Sequence, residues 1–370
     1  LEATIKDKLL FTPGPLTTSM TVKQAMLRDL GSRDFEFIRI VKEIRDQLLE
    51  LGNVSQAKGY ECVITQGSGT FGVEAMISSA LAKDGHLLVL VNGAYGERIC
   101  KMAEVHGIRF SALSYGEDKS PSVSDLNDFL TKNPSVTHVV VVHCETTTGI
   151  FNPIKEYGEG ISRHGKRYMV DAMSSFGAVP IDLAECHIDF LVSSSNKCIE
   201  GVPGFSFALV SKSGLLECEG RSRTLSLDMF AQWKGLENNG QFRFTPPTHS
   251  LLAFHQAINE LKQEGGVAGR STRYQQNYRT LVAGMRQMGF TEYLPADKQG
   301  YIITTFNHPA SAKFNFNMFY EKLNERGFAI YPGKLTKADC FRIGNIGRIS
   351  TEEVSALLKA IAEAKAEMGF

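Results

Sequence analysis

Between Glu61 and Val210 short apolar runs alternate with amphipathic segments, and this alternation constrains the chain more than any other feature. Runs of that length separated by helix-length stretches predict a largely parallel sheet with helices on both faces. The predicted strands are Cys62–Thr65, His86–Val91, Arg109–Ser114, His138–His143, Arg167–Asp171, Asp189–Ser193 and Phe205–Val210, the β-branched run at His138–His143 being the clearest. Helices are predicted in the gaps, among them Thr70–Ala82 and Ile154–Arg163.

Beyond Thr248 the pattern changes to long helical stretches, Ser250–Glu264 and Arg270–Met288. They are followed by the strand-like Tyr301–Asn307 and Cys340–Ile343 and a last helix, Thr351–Met368. The glycine-rich stretch Gly265–Arg270 reads as a joint between two helices. The sequence therefore predicts a large α/β domain over 15–265, a smaller C-terminal α+β domain over 266–370, and an N-terminal segment, 1–14, packed near the active site.

A chain of 370 residues, 43% of them hydrophobic, has enough apolar surface for a large core and a second domain. Forty basic and forty acidic side chains cancel, so no field gathers nucleic acid or an anionic membrane, and the expected partners are small molecules. Seven cysteines stand at irregular positions with no zinc spacing, which predicts no metal site, reduced thiols and a cytoplasmic setting. Leu1 to Phe11 lacks an apolar signal core, and no apolar run is long enough to span a bilayer.

Gly67-Ser68-Gly69-Thr70-Phe71-Gly72 follows a predicted strand and opens a helix, and so matches the glycine pattern of dinucleotide-binding proteins. That pattern also requires an acid at the end of the next strand to hold the ribose hydroxyls, whereas the strand His86–Val91 ends in Asn92-Gly93. What survives is a helix N-terminus with the Ser68 and Thr70 hydroxyls, suited to a phosphate monoester. A capped tight turn would look the same.

A lysine and an aspartate narrow the chemistry. Ser193-Ser194-Ser195-Asn196-Lys197 closes an apolar strand with polar residues, and Gly201-Val202-Pro203-Gly204 follows. Open α/β sheets place ligands at that carboxyl edge. A lone lysine is ordinarily a solvated charge. Here small hydroxyl residues before it and a glycine-rich turn after it leave room for a flat ring. Schiff-base chemistry needs an amine that can lose its proton, which burial or nearby positive charge permits for lysine but not for arginine. A pyridoxal ring also needs a carboxylate facing its pyridine nitrogen. Asp171, at the end of the strand one before the lysine, is the candidate, against a plain helix N-cap.

Along nearly its whole length the chain resembles the class-V, fold-type I aminotransferases. The resemblance is carried in order by Phe11-Thr12-Pro13-Gly14-Pro15, Gly67-Ser68-Gly69-Thr70, Gly93-Ala94-Tyr95-Gly96, His143-Cys144-Glu145-Thr146-Thr147-Thr148-Gly149, Asp171-Ala172, Asn196-Lys197 and Phe341-Arg342-Ile343-Gly344. It implies pyridoxal 5′-phosphate as cofactor, attached to Lys197, with Asp171 on the pyridinium nitrogen. Ser68, Gly69 and Thr70 would bind the cofactor phosphate, and Thr245 would reach it from a second subunit, so that a homodimer shares its active sites. Tyr95 would lie over the ring, Thr146 near its phenolic oxygen, and Met173 and Asn196 beside the key pair.

In the same carry-over Arg342 would grip the acidic group of an amino donor and a 2-oxo acid acceptor, since a guanidinium binds a carboxylate or a phosphonate through two hydrogen bonds. Ser195 to Phe205 and Gly31-Ser32-Arg33-Asp34 resemble the branch acting on 2-aminoethylphosphonate and pyruvate, with Arg33 as a second positive group. The alanine– and serine–glyoxylate branches would share every cofactor residue, and a non-catalytic sensor could keep the pocket. Cys340 begins a predicted strand, where a reactive cysteine would need a mobile loop, and is read as a core thiol.

Overall fold

The computed structural model describes residues 7–335 and 338–370, so the first six residues of the expected N-terminal segment lie outside the described residues. Seven strands form the main sheet: β1 (Tyr60–Gln66), β2 (His86–Val91), β3 (Arg109–Ser114), β4 (His138–Val142), β5 (Arg167–Asp171), β6 (Phe190–Ser194) and β7 (Phe205–Ser211). Their order across the sheet is β1-β7-β6-β5-β4-β2-β3. Strands β3, β2, β4, β5 and β6 pair in parallel, whereas β7 runs antiparallel to both of its neighbours. The reversal has a local cause. Only Ser195 to Gly204 separate β6 from β7, fewer residues than the dozen or so that a parallel crossover needs.

The central strands are buried on both faces, as their continuous apolar runs require: every residue of β2 and β4 is buried. At the edge, β3 is mostly exposed. One cluster on one side of the sheet includes Leu88, Val141, Tyr157, Ile161 and Phe207, and another on the far side includes Val73, Val89, Val140, Met169 and Val192. Alternate residues of each strand thus serve opposite faces. The helix Ile154–Arg163 shows why this succeeds, burying Ile154, Tyr157 and Ile161 along one stripe.

A second sheet holds Ile303–Asn307, Cys340–Gly344 and Tyr331–Pro332, all antiparallel, with Arg342 paired between Thr305 and Tyr331. Leu9–Leu10 pairs with Phe328–Ala329, and the Gly344 N–H donates to the Phe11 carbonyl at 2.9 Å, which ties the start of the chain to the Arg342 strand. The expected joint at Gly265–Arg270 is shorter than the glycines suggested. One helix ends at Gln263 and the next begins at Gly266, with Gly265 and Gly266 both at positive φ, +97° and +68°. The helix Phe35–Leu51 went unpredicted; Asp34 caps it by accepting from the Glu36 N–H at 2.8 Å. Among the described residues no helix is long and apolar enough to cross a membrane.

Candidate active site

Six of the seven strands of the main sheet point the same way, so their carboxyl ends, and the residues just beyond them, meet along one edge. There Gly69, Thr70, Tyr95, Thr146, Asp171, Met173 and Lys197 line one cavity. A larger open groove runs along the opposite edge beside Tyr60, His138 and Arg167. Its charges answer one another, Arg167 meeting Asp189 at 2.7 Å and also Glu217, whereas the cavity holds groups that are not so matched.

Two of these groups are driven away from their ordinary ionisation. Burial pulls the Lys197 amine down to about 8, against the pull of Asp171 and with the help of Arg342. Burial pushes the Asp171 carboxyl up to about 6, opposed by the Met173 N–H and by Lys197. The low-dielectric cavity thus favours the neutral form of each. Lys197 donates from Nζ to the Pro13 carbonyl, and a side chain on Gly14 would meet that Nζ at 2.6 Å. The segment Pro13–Pro15 therefore lies over the amine and leaves room only for glycine. Asp171 Oδ1 accepts from the Met173 N–H at 2.9 Å, the short turn that an N-cap reading also foresees, and no helix follows.

At the cavity's other end the helix Gly69–Ala80 begins. Its N-cap, Ser68, makes no side-chain capping bond, so the hydroxyl and the first N–H groups of the helix stay available to an anion. Gly69 cannot be replaced without displacement, because a Cβ there would enter the Met173 side chain. Thr146 is buried, and its carbonyl accepts from Arg342 Nη1 at 2.9 Å.

Other predicted residues fall outside this cavity. Asn196 does not line it and instead accepts from the Ser194 hydroxyl at 3.2 Å. Thr245 lines a separate apolar hollow with Gly67, Phe71 and Phe244, where its carbonyl accepts from Gln66 Nε2 at 3.1 Å. Arg33 is exposed just ahead of the helix Phe35–Leu51 and does not line the cavity. Cys340 is a buried strand thiol, as expected, and burial raises its pKa.

Arg342 is 1% exposed and forms no ion pair among the described residues. Its Nε donates to the Pro332 carbonyl at 3.0 Å, which fixes the guanidinium plane while leaving its charge unneutralised. Sequence reasoning assigned no role to Glu145 or Arg98. Arg98 was foreseeable, since it follows Tyr95 by three residues on one helix and so shares its face; the guanidinium lies 4.8 Å from the ring centroid. Glu145 comes from beyond β4 to cap the helix Ala94–Val105, whose N-cap is Gly93. Its Oε2 accepts from the Tyr95 N–H at 3.3 Å and its Oε1 from the Thr147 hydroxyl at 3.0 Å.

Burial raises the Glu145 carboxyl from 4.5 to about 7. A raised acid favours the fold in its protonated form, so its support is complete below about 4.5 and is lost as pH rises through about 7. Glu145→Gln is therefore expected to melt like the parent at pH 4 and above it at pH 9. Thermal denaturation at the two pH values checks this.

The sequence profile of the family described as Aminotransferase class-V matches residues 17–351. A 2-aminoethylphosphonate–pyruvate transaminase of Salmonella paratyphi B is 51% identical over 363 residues, 98% of either chain, and its Salmonella dublin counterpart matches equally. Among solved structures, the Nostoc alanine–glyoxylate aminotransferase superimposes with a TM-score of 0.90 at 26% identity, covering 98% of this chain and 97% of its own. Pyridoxamine–pyruvate aminotransferase from Mesorhizobium loti gives 0.89 at 23% identity, covering 100% and 94%, a likeness of fold. With the profile spanning most of the sequence and curated transaminases matching it from end to end, this chain belongs to the class-V aminotransferases.

Proposed function

We propose that the chain moves the amino group of 2-aminoethylphosphonate to pyruvate, giving phosphonoacetaldehyde and L-alanine, with pyridoxal 5′-phosphate as cofactor. One observation carries the reading: a buried arginine that forms no ion pair among the described residues stands in electrostatic reach of a buried lysine amine, which in turn faces a buried aspartate. The name of the curated relatives supports the substrate pair. An exchange of alanine with glyoxylate would use the same cofactor residues, and the 51% identity to the phosphonate enzymes against 26% to the alanine–glyoxylate one favours the phosphonate.

The residues present fit the cofactor. An uncapped helix N-terminus suits its phosphate, a buried carboxyl without a cation of its own among the described residues suits a protonated ring nitrogen, whose charge would favour the ionised carboxylate, and a buried amine with a lowered pKa suits its aldehyde. Ser68, Gly69 and Thr70 would hold the phosphate, Tyr95 and Met173 would flank the ring, and Thr146 would donate to its phenolic oxygen. When bound, the cofactor supplies the carbonyl that takes up the amino group and the electron sink for the pair released at the substrate carbon.

Lys197 lifts the proton from the amino carbon and returns one in the pyruvate half, acting as base and acid in turn. An amine with a pKa near 8 can do both at neutral pH. Asp171 keeps a proton on the facing nitrogen. Arg342 anchors the acidic group of either substrate, and Pro13–Pro15 shields the amine from water. In this reading residues 15–265 hold the cofactor and 266–370 bring the substrate anchor. Asn196, next to Lys197 in the chain, would flank the cofactor. Thr245 reaches the phosphate of a partner's site in a homodimer, whose contact the exposed Phe71 and Phe244 extend. The setting is a reducing cytoplasm, where the seven cysteines, all unpaired, stay thiols.

Initial rates measured at several concentrations of both substrates are expected to give parallel double-reciprocal lines, with alanine and phosphonoacetaldehyde formed one for one; failure to form either product would end the proposal. Arg342→Ala is expected to raise KM for both substrates by roughly a hundredfold, as loss of a charged bidentate contact implies. A KM rise confined to one substrate would remove the shared-anchor assignment.

A further inference from the structure

Arg342, held on the carbonyl of the cavity residue Thr146, is not the only cation near the cavity without an acid of its own among the described residues. Lys334 follows Pro332, the residue whose carbonyl holds Arg342 Nε, and its turn is pinned to the Arg342 strand by the Gly333 N–H, which donates to the Cys340 carbonyl at 3.0 Å. Arg98 lines the cavity, with Nη1 donating to the Thr70 hydroxyl at 3.4 Å. Among the described residues neither forms an ion pair. Each is within electrostatic reach of the other, and Lys334 also feels Arg342. The acid in reach of both Arg342 and Lys334 is Glu145, whose oxygens already accept from Tyr95 and Thr147. Lys334 is exposed, yet the partial burial of its stem and then the charges of Arg342 and Arg98 pull its ammonium below its ordinary pKa, against the pull of Glu145. An added anion would relieve that strain of like charges.

The two substrates of the proposed reaction ask different things of this cluster. In pyruvate and alanine the carboxylate is bonded directly to the reacting carbon. In 2-aminoethylphosphonate a methylene intervenes, so the acidic group stands one bond, about 1.5 Å, farther from Lys197. It also has three oxygens and a greater charge. Arg342 has already committed Nε to Pro332 and one Nη1 hydrogen to Thr146, leaving Nη2 and one hydrogen of Nη1. Two adjacent N–H groups match the two oxygens of a carboxylate, and they leave a phosphonate with an oxygen and a charge unanswered.

Resting on the function proposed above, we infer that Lys334 is a specificity residue: its ammonium takes the phosphonate oxygen that Arg342 leaves, with Arg98 adding to the field, and it contributes little to binding pyruvate. The lysine suits this role because it is a compact, mobile point charge on a long stem, able to meet a group that is present in only one half of the cycle.

Because the two halves of the reaction can be run separately, the test is selective. Lys334→Gln is expected to lower the rate constant per unit concentration about tenfold with 2-aminoethylphosphonate, the effect of one charged hydrogen bond. With alanine and with pyruvate the change should stay within about twofold, and Lys334→Arg should restore most of the loss. Calorimetry with ethylphosphonate, which lacks the amine and cannot react, should show the same weakening, with acetate unaffected. Equal loss in both halves, or no loss in either, would overturn the inference. If the parent enzyme ignores the phosphonates yet reacts with alanine, the substrate reading itself fails. If the parent uses 2-aminoethylphosphonate and Lys334→Gln is indistinguishable from it, the role of Lys334 alone fails.

Discussion

Lys197→Ala turns over on the order of 10⁴-fold more slowly than the parent, the upper range for removing a general acid–base group. The reason lies in the cavity: no other described amine lines it, so nothing replaces the proton carrier. Folding should not suffer. Burial lowers the Lys197 pKa from 10.5 to about 8, so at neutral pH the fold holds an ammonium where it favours an amine. The sign follows directly. For a lysine with a depressed pKa the penalty is full below about 8 and disappears as pH rises from about 8 to 10.5. Without cofactor, the parent should therefore gain melting temperature relative to Lys197→Ala across that window. Steady-state kinetics and thermal denaturation give the two readouts. Normal turnover by the variant would refute the assignment of Lys197.

Asp171→Asn is expected to act in opposite directions on catalysis and on the stability of the cofactor-free chain. Turnover should fall by about 10²–10³-fold, in line with the loss of one preorganised electrostatic contact at a developing charge. Stability should rise above neutral pH. Burial lifts the Asp171 carboxyl from 3.8 to about 6, so the fold prefers its protonated form, and the support it gives is present below about 3.8 and lost by about 6. The asparagine variant should thus melt roughly 3 °C above the parent at pH 8 and match it near pH 3.5. Losing Asp171 also leaves Lys197 without its attractive neighbour, which limits the gain. A variant less stable at pH 8 without cofactor, or one with unimpaired turnover, would show that the carboxylate serves the fold and not the ring nitrogen.

The features legible in the sequence are those whose signal is local. β2, β3 and β5 begin and end where their apolar runs do, and Asp171 and Lys197 stand out because polar residues follow an apolar strand abruptly. Sheet order is not local, and the reversal of β7 went unpredicted, although the short span from Ser195 to Gly204 held the information. The bond from the Ser194 hydroxyl to Asn196 is likewise a matter of local turn geometry that no periodicity encodes. Glu145 sits inside a family motif, yet its work is to cap a helix fifty residues earlier in the chain, visible only once β4 and β2 lie side by side. Lys334 is further removed. Its nearness to Arg98 depends on how the second sheet meets the first, which no periodicity encodes.

The proposed function joins Lys197 in the cavity with Arg342, held beside it on the Thr146 carbonyl, in moving an amino group from a phosphonate amine to pyruvate. The most direct measurement is the visible absorption of the purified protein loaded with pyridoxal phosphate, followed as 2-aminoethylphosphonate and then pyruvate are added. The band of the lysine-bound cofactor is expected to disappear with the amine and to return with the 2-oxo acid. A band that ignores the phosphonate but responds to alanine or serine would contradict the substrate, and the absence of any band after loading would contradict the cofactor and with it the claim.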